Sequence, residues 1–324
     1  MSLLCRPTEF QTMSSAKINL FLEVLSRRSD GYHTLSTVFQ EISLTDTLAA
    51  RLRPDGEMTL QTNRSDLGPV AKNLVIRAAR AFQERYPSTP GLGFTLAKRI
   101  PVGAGLGGGS ANAATALRAC AVLTGRDGRP GTERALLALG KSLGADVPFF
   151  LRGGLASAGG VGDRLRFMED RGRPPVHFVL VFPRVFSSTP EAYRGLKFPL
   201  TNRRCGLRLT RALRDGAPPS VWAPWIFNRL EEVVVPRLPR VGEVKRALLR
   251  AGCFNALMSG SGSSVFGIVS DAGQSRRVSA RLRGEPWDVW RVTSLSRPLV
   301  TPRRFDEVGR YGNHRDSRDA SHGR

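Results

Sequence analysis

The sequence has no stretch that could cross a membrane or direct export. No run of about 18 uncharged apolar residues occurs anywhere in it, and a transmembrane helix needs at least that length. The first seven residues lack the apolar segment of a secretory signal peptide. We therefore expect a cytoplasmic protein that makes no use of a membrane.

Cysteine is scarce and its spacing carries no chemistry. No C-x-x-C pair occurs, and the four cysteines lie far apart in the chain, at Cys5, Cys120, Cys205 and Cys253. The sequence therefore suggests neither a disulfide framework nor a zinc site. We expect four reduced thiols, most of them packed in the interior.

Acidic residues are too few to balance the basic ones. Asp and Glu total 27 against 49 Lys and Arg, which leaves a net charge of +22 over 324 residues. Such a field attracts polyanions, whether nucleic acid, an anionic membrane or phosphorylated small molecules. The basic residues are spread along the chain without a ladder of aromatic residues, so we favour a solvated basic surface over nucleic-acid binding, which stays open as an alternative.

The pattern of apolar residues predicts a mixed α and β protein. Apolar, β-branched and aromatic residues between Phe10 and Leu25 predict a strand, on which Lys17 and Asn19 share one face because they are two residues apart. Small residues at 255–264 predict a loop. Further strands are predicted at Val38–Leu48, Gly93–Ile100, His177–Phe182 and Val265–Val269, and helices at Asn73–Tyr86, Ser110–Leu123, Thr132–Leu143 and Val241–Ala251.

The most informative stretch is a glycine-rich loop between a predicted strand and an Ala-rich helix. Five glycines fall within Gly103–Gly109, and Ser110 follows them. Glycine lets the backbone approach a ligand closely, and the unpaired amides at the start of a helix favour an anion. The pattern therefore favours phosphate binding over a plain turn. It is no Walker A loop, because Gly109 stands where that motif has its lysine, and the fit to a dinucleotide fingerprint is only formal.

Asp146 and Lys17 are candidate catalytic residues. Asp146 is an isolated acid before the apolar run Val147–Phe150, and Lys17 interrupts an apolar strand. A carboxylate that accepts a hydroxyl proton needs a cation to keep it ionised, and Lys17 could supply it. An Asp that caps a helix and a Lys at a strand edge are the alternatives, and the residues alone leave both open.

A second loop of small residues, Met258–Gly267, leads into the strand Val265–Val269. Its many free main-chain amides suit phosphate or substrate contact, and a plain connecting loop is an equal alternative.

Together these segments resemble the GHMP kinase superfamily, which includes the galactokinases and the homoserine, mevalonate and phosphomevalonate kinases. Inside the superfamily the resemblance is strongest to kinases that act on a cytidine diphosphate ester of methylerythritol, in the non-mevalonate route to isoprenoids. It covers about residues 12–296. The segments that carry it are Ala16–Leu20, Asp30–His33, Pro101–Ala114, Gly144–Phe150 and Met258–Gly267.

The resemblance implies an α+β fold of two lobes with the active site in the cleft between them. The N-terminal lobe would span residues 1–160 and the C-terminal lobe residues 161–296, and a basic tail, residues 297–324, would be disordered. The partners implied are small molecules, namely ATP and the cytidine diphosphate ester. The chain would be a monomer or a weak dimer, without a specific nucleic acid.

The resemblance also implies a role for each motif. Asp146 would be the general base that removes the proton of the 2-hydroxyl, and Lys17 would keep it ionised. The glycine loop would bind the phosphates of ATP, with Mg²⁺ bridging them. The implied ATP-binding residues are Pro101, Val102, Gly103, Ala104, Gly105, Leu106, Gly107, Gly108, Gly109, Ser110 and Ala111. The implied substrate-binding residues are Asn19 and Thr189, near the reacting hydroxyl, and Tyr32 and His33, which would flank the cytosine.

One residue departs from the pattern of the superfamily. Where its members usually have an Asn–Asp pair, this chain has Asn228 followed by Arg229, which puts the ion pairing of that acid in doubt. Another small-molecule kinase of the superfamily, such as a homoserine kinase, is the alternative within the same class.

Overall fold

The computed structural model describes residues 8–169, 172, 174–197 and 206–296. The predicted tail, residues 297–324, lies outside these ranges, as do Cys5 and Cys205. Within them, no helix combines the length and the apolar character needed to span a membrane. Cys120 and Cys253 are buried free thiols, and burial raises the pKa of each to about 12.

Two sheets form the framework of the α+β fold. The strands are β1 (Glu9–Arg27), β2 (His33–Arg53), β3 (Met58–Thr62), β4 (Gly91–Ala97), β5 (Leu155–Gly159), β6 (Arg164–Met168), β7 (His177–Phe182), β8 (Phe227–Asn228), β9 (Asn255–Met258), β10 (Val265–Val269) and β11 (Asp288–Thr293). The larger sheet runs β3-β4-β2-β1-β8, with β5 paired to β2 and β6 paired to β5, and the smaller one runs β11-β7-β10-β9. The larger sheet therefore receives β8 from the C-terminal half of the chain, next to the strand that carries Lys17.

The helices pack on these sheets. They are α1 (Leu74–Arg85), α2 (Gly108–Leu123), α3 (Thr132–Leu143), α4 (Val147–Arg152), α5 (Thr189–Arg194), α6 (Leu207–Arg214), α7 (Pro219–Trp222), α8 (Glu231–Arg237), α9 (Pro239–Arg250) and α10 (Ala272–Arg281), with 3₁₀ turns at Val70–Lys72 and Ala223–Trp225. Helix α2 is buried on nearly every side, between α1, α3, α4 and the strands β1 and β2. Its run of Ala permits this close packing and fixes the glycine loop that leads into it.

Most of the predicted elements occur with ends that shift by up to three residues, and two predictions differ more strongly. Strand β2 is longer than the predicted Val38–Leu48, because its first half pairs with β5 and its second half with β4 while β1 pairs along its length. The predicted loop at residues 255–264 is wrong at its start, where Asn255–Met258 forms β9 by pairing with the buried strand β10. The lobe boundary at residue 160 stays a prediction.

Candidate active site

A cleft of about 670 Å³ lies between the two lobes. The residues that line it come from β1, β2, the glycine loop, the start of α4 and the C-terminal lobe. Those used below are Lys17, Asn19, Thr37, Lys98, residues 101–110, Asn112, Asp146, Thr189, Tyr193, Gly260 and Ser261. The cleft thus gathers most of the site residues that the sequence singles out.

Lys17 is the central cation of the cleft. Irregularities in the β1–β2 pairing on either side of Lys17 and Asn19 bend this part of β1. The ammonium donates hydrogen bonds to Asn19 Oδ1 at 2.7 Å and to the carbonyl oxygen of Gly105 at 3.1 Å. Only 4% of Lys17 is exposed, and this burial lowers its pKa, while the nearby carboxylate of Asp146 opposes the shift.

Asp146 faces Lys17 across the cleft. Its Oδ2 lies 3.8 Å from Lys17 Nζ, which is an ion pair but too long for a direct hydrogen bond. Asp146 is the residue at the N-terminal boundary of α4, yet within the described residues its side chain does not cap that helix. About a third of the side chain is exposed, toward the cleft. A hydroxyl or water placed between the two groups could therefore contact both charges.

Asn19 is held in place by a chain of hydrogen bonds. Its Nδ2 donates to Thr37 Oγ1 at 2.9 Å, and that hydroxyl donates to the carbonyl oxygen of Phe21 at 2.6 Å. Asn19 Oδ1, which accepts the hydrogen bond from Lys17, is therefore held in one position, and this fixes the direction of the Lys17 ammonium. Thr37 is 2% exposed and lies on β2, far from Asn19 in the chain, so the sequence offered no signal for it.

The glycine loop closes over Lys17. The main-chain amide of Lys17 donates to the carbonyl oxygen of Leu106 at 3.0 Å. At Gly107 the backbone is left-handed, with φ of +69°, and a Cβ there would lie 2.9 Å from the ring of Phe150 and 3.2 Å from Lys17 Cε. Helix α2 then starts at Gly108, and in the described part of the chain no side chain caps it. Its first amides are therefore available to an anion.

A buried ion pair supports this loop from below. Lys98 Nζ donates to Asp46 Oδ2 at 2.5 Å and to Asn112 Oδ1 at 3.1 Å, and Asp46 Oδ1 accepts the main-chain amides of Arg99 at 2.7 Å and Ile100 at 2.9 Å. Asp46 is fully buried, and Lys98 lies 3.1 Å from where a Cβ of Gly108 would be. Sequence reasoning missed these residues, because only the fold brings them together.

The substrate residues predicted from the resemblance differ in their position relative to the cleft. Thr189 lines the cleft, and its hydroxyl lies 2.6 Å from that of Ser261. His33 stacks on the ring of Tyr193, with ring centroids 5.1 Å apart, and Tyr193 lines the cleft. Tyr32 is 66% exposed and borders a separate hollow beside Asp30. The structure therefore places Thr189 in the cleft, His33 at its rim and Tyr32 outside it.

Tyr193 is a site residue that the sequence did not reveal. Its ring is partly buried, and desolvation together with the charge of Asp146 raises the pKa of the phenol. A lone Tyr in helix α5 carries no motif, so only the stacked neighbour His33 and the position in the cleft identify it. Ala111, by contrast, is buried within α2 behind the loop.

Arg229, the residue that departs from the superfamily pattern, makes its own ion pairs. Its guanidinium donates from Nε to Glu23 Oε1 at 2.7 Å and from Nη2 to Glu23 Oε2 at 2.9 Å, and it also contacts Glu232 at 2.5 Å. Glu23 is fully buried, and these hydrogen bonds raise the pKa of Arg229. Although Arg229 replaces the acid of the superfamily, an ion pair is therefore still formed at this position.

The fold and the cleft define a kinase of the GHMP type, and comparison with known proteins agrees. The chain matches the GHMP kinases N terminal domain over residues 73–154 and the GHMP kinases C terminal domain over residues 218–288. The chain belongs to the GHMP kinase family, as the resemblance of its motifs predicts.

Similar proteins share a narrower description. The 4-diphosphocytidyl-2-C-methyl-D-erythritol kinase of Pelotomaculum thermopropionicum is 41% identical over 272 residues, which cover 84% of this chain and 93% of the relative. The enzyme of the same name from Deinococcus radiodurans is 41% identical over 277 residues, 85% of this chain and 89% of the relative. A crystal structure of 4-(cytidine 5'-diphospho)-2C-methyl-D-erythritol kinase superposes with a TM-score of 0.72 at 36% identity, covering 88% of this chain and 98% of the other.

A homoserine kinase from Cytophaga hutchinsonii has the same fold, with a TM-score of 0.69 over 92% of this chain and 98% of the other. Its sequence is only 18% identical, so this likeness concerns the fold alone.

Proposed function

We propose that this protein transfers the γ-phosphoryl group of ATP to the 2-hydroxyl of 4-diphosphocytidyl-2-C-methyl-D-erythritol, in the non-mevalonate route to isoprenoid precursors. The observation that carries the proposal is the Lys17–Asp146 ion pair of 3.8 Å, set beside the glycine loop in a chain 41% identical to a kinase of that name. The reaction takes place in the cytoplasm, where ATP is available.

Asp146 acts as the general base. Its carboxylate is exposed to the cleft and borders the ammonium of Lys17, so an acceptor hydroxyl can donate to the carboxylate while its oxygen contacts Lys17. The positive charge of Lys17 stabilises the developing alkoxide. Phosphoryl transfer asks for little else from the protein than positioning and charge stabilisation.

The glycine loop and the start of α2 hold the phosphates of ATP. The free amides from Gly108 onward lie at the positive end of the helix dipole, and the close contacts of Gly107 with Lys17 and Phe150 bring that end next to the catalytic pair. The loop contains no lysine of its own, so Lys17 supplies cationic charge from the neighbouring strand.

Mg²⁺ fits a site of this kind. Within the described residues no group of three or more acidic, His or Cys side chains comes together, and the acidic side chains on the cleft are Asp66 and Asp146. Mg²⁺ in kinases takes most of its ligands from phosphates and water, and the hydroxyl of Ser110 at the start of α2 would be its protein ligand here, which leaves Asp146 free to act as the base. When bound, it neutralises phosphate charge.

The rest of the cleft recognises the acceptor. Asn19 and Thr189 bind the methylerythritol end of the acceptor. Asn19 is hydrogen-bonded to Lys17, and Thr189 lies beside Ser261 on the facing side of the cleft. The stacked His33–Tyr193 pair offers a flat aromatic surface to the cytosine, whereas Tyr32 lies outside the cleft and would contact only a base that extends beyond it. Stacking on aromatic rings suits a nucleobase.

The test is ATP consumption by the purified chain with four acceptors: the cytidyl substrate, homoserine, mevalonate and galactose. We expect turnover with the cytidyl substrate and a phosphorylated product at the 2-position, identified by NMR. Preference for any other acceptor would contradict the proposed substrate, and the absence of ATP-dependent transfer to all four would contradict the proposed function.

A further inference from the structure

The side chain of Ser259 and the neighbouring Gly260 lie against Lys17 and Asn19 and the glycine loop. Ser259 Oγ donates to the carbonyl oxygen of Gly105 at 3.0 Å, the same oxygen that accepts from Lys17. The main-chain amide of Asn19 lies 3.4 Å from Ser259 Oγ. A Cβ on Gly260 would lie 3.3 Å from Lys17 Nζ and 3.4 Å from Asn19 Oδ1. The segment 258–264, here called the serine loop, therefore packs directly on Lys17 and Asn19.

One side chain outside the cleft holds this loop. Asn228 Nδ2 donates to the carbonyl oxygen of Met258 at 2.8 Å and to that of Gly260 at 2.8 Å. Asn228 Oδ1 accepts the main-chain amide of Leu230 at 3.0 Å. Both donors of the carboxamide thus face carbonyl oxygens and its acceptor faces an amide, so only this orientation of the group fits.

The two bonds from Asn228 lie on either side of Ser259. Met258 and Gly260 both turn their carbonyl oxygens toward Asn228, which orients the peptide plane between Met258 and Ser259 and the one between Gly260 and Ser261. Asn228 is 2% exposed, so water cannot replace its donors at these oxygens.

Asn228 is itself fixed to the strand that carries Lys17. It pairs in β8 with Leu22 of β1, and the next residue, Arg229, donates its main-chain amide to the carbonyl oxygen of Leu22 at 2.8 Å. The ion pair between Arg229 and the buried Glu23 of β1 joins the same two segments through their side chains. One rigid strand pairing therefore sets the distance between β1 and the serine loop.

We propose that Asn228 is a positioning residue of the kinase, which holds the serine loop against Lys17 and Asn19 through its two carbonyl contacts. This inference rests on the proposed function only for the identity of the acceptor. Asn228 does not line the cleft, so it acts through the loop.

The test compares the same substitution at two asparagines. Asn228→Asp keeps the shape of the side chain but removes both donors and sets a carboxylate against two carbonyl oxygens. Asn255→Asp is the control: Asn255 Nδ2 donates to a single carbonyl oxygen, that of Ala223, at 2.8 Å, and Asn255 does not line the cleft. Steady-state kcat is measured in the full chain at a temperature where circular dichroism shows every variant folded.

We expect kcat of Asn228→Asp to fall by about 10²-fold, as for a misplacement of about 1 Å near the reacting atoms, and kcat of Asn255→Asp to stay within about threefold of the parent. A buried Asp beside carbonyl oxygens has a raised pKa, and its protonated form can donate one hydrogen bond. The ratio of variant to parent kcat should therefore increase as the pH falls, which a loss of stability alone would not produce in a fully folded sample.

A kcat of Asn228→Asp within threefold of the parent, equal losses in the two Asp variants, or a ratio independent of pH would overturn the proposal. If Asn228→Asp does not fold, Asn228→Ser and Asn228→Ala replace it: Ser, which keeps one donor, should retain more activity than Ala, and equal kcat values for the two would refute the role. The parent's own choice of acceptor tests the proposed function separately, because the variants are compared with whichever acceptor the parent phosphorylates.

Discussion

Replacing Gly105 by Ala tests how closely the glycine loop and the serine loop must approach. Gly105 has φ of +77°, and an added Cβ would lie 2.0 Å from the carbonyl oxygen of Ser259 and 3.0 Å from the amide nitrogen of Gly262. Both contacts are with main chain, so no side-chain rotation can relieve them. The left-handed backbone itself costs about 1–2 kcal/mol for any residue with a Cβ.

The variant Gly128→Ala separates the cost of the left-handed backbone from the effect of the contact between the two loops. Gly128 has a similar φ of +72°, and within the described residues nothing lies within 4 Å of an added Cβ. This control should show the backbone cost alone, about 1–2 kcal/mol, with normal activity. In Gly105→Ala the two loops must move apart by about 1 Å to restore normal contact, which can reduce the rate by about 10²-fold.

The assay is ATP-dependent turnover with the cytidyl substrate, together with urea unfolding of both variants. We expect kcat/KM to fall by about 10²-fold in Gly105→Ala and to change by less than about threefold in Gly128→Ala. Equal kcat/KM values in the two variants would refute the reasoning, because they would mean that the contact between the loops has no part in catalysis.

Three further predictions concern the acceptor end, the support of the loop and the effect of pH. Tyr193→Ala should raise KM for the cytidyl substrate by about 5- to 150-fold, the worth of one base stacked on an aromatic ring, and leave KM for ATP unchanged; equal changes in both KM values would contradict the stacking. Asp46→Asn should lower the free energy of unfolding by about 3–5 kcal/mol, because Lys98 would remain buried without its carboxylate, and a loss below 1 kcal/mol in urea unfolding would argue against that pair. Burial raises the pKa of Glu41 from 4.5 to about 7, so the folded state holds that proton more tightly than the unfolded state. The contribution of this proton to the free energy of unfolding is complete below pH 4.5 and is lost as the pH rises to 7. The free energy of unfolding of the parent should therefore fall by about 3 kcal/mol relative to that of Glu41→Gln between pH 4.5 and pH 8. A difference between the two proteins that does not change with pH would contradict this.

The local parts of the fold could be predicted from the sequence because they depend on local signals. Helix α3 has the predicted bounds, and α2 begins two residues before the predicted Ser110, within the glycines. The spacing of Lys17 and Asn19 predicted that they share a face, and their side chains are hydrogen-bonded at 2.7 Å.

The distant contacts could not be predicted from local patterns. The 3.8 Å approach of Asp146 to Lys17 joins a strand and the start of a helix far apart in the chain; the residues alone left this pairing open, and the resemblance to a family implied it. Strand β9 reads as a loop of small residues, and it becomes a strand only because β10 lies beside it. Tyr193 carries no motif, and the Asn–Asp pair to which Asn228 corresponds does not say what Asn228 contacts, so only the packing of the fold reveals how these two residues meet the site.

The most direct test of the account is a double-mutant cycle on Lys17 and Asp146. Asp146→Asn and Lys17→Ala should each reduce kcat by about 10²–10⁴-fold, since each removes one member of a pair that acts on the same hydroxyl. We predict that the double variant is no slower than the slower single variant. A double variant whose loss equals the product of the two single losses, or a single variant with near-normal kcat, would contradict the claim that the pair acts as one unit.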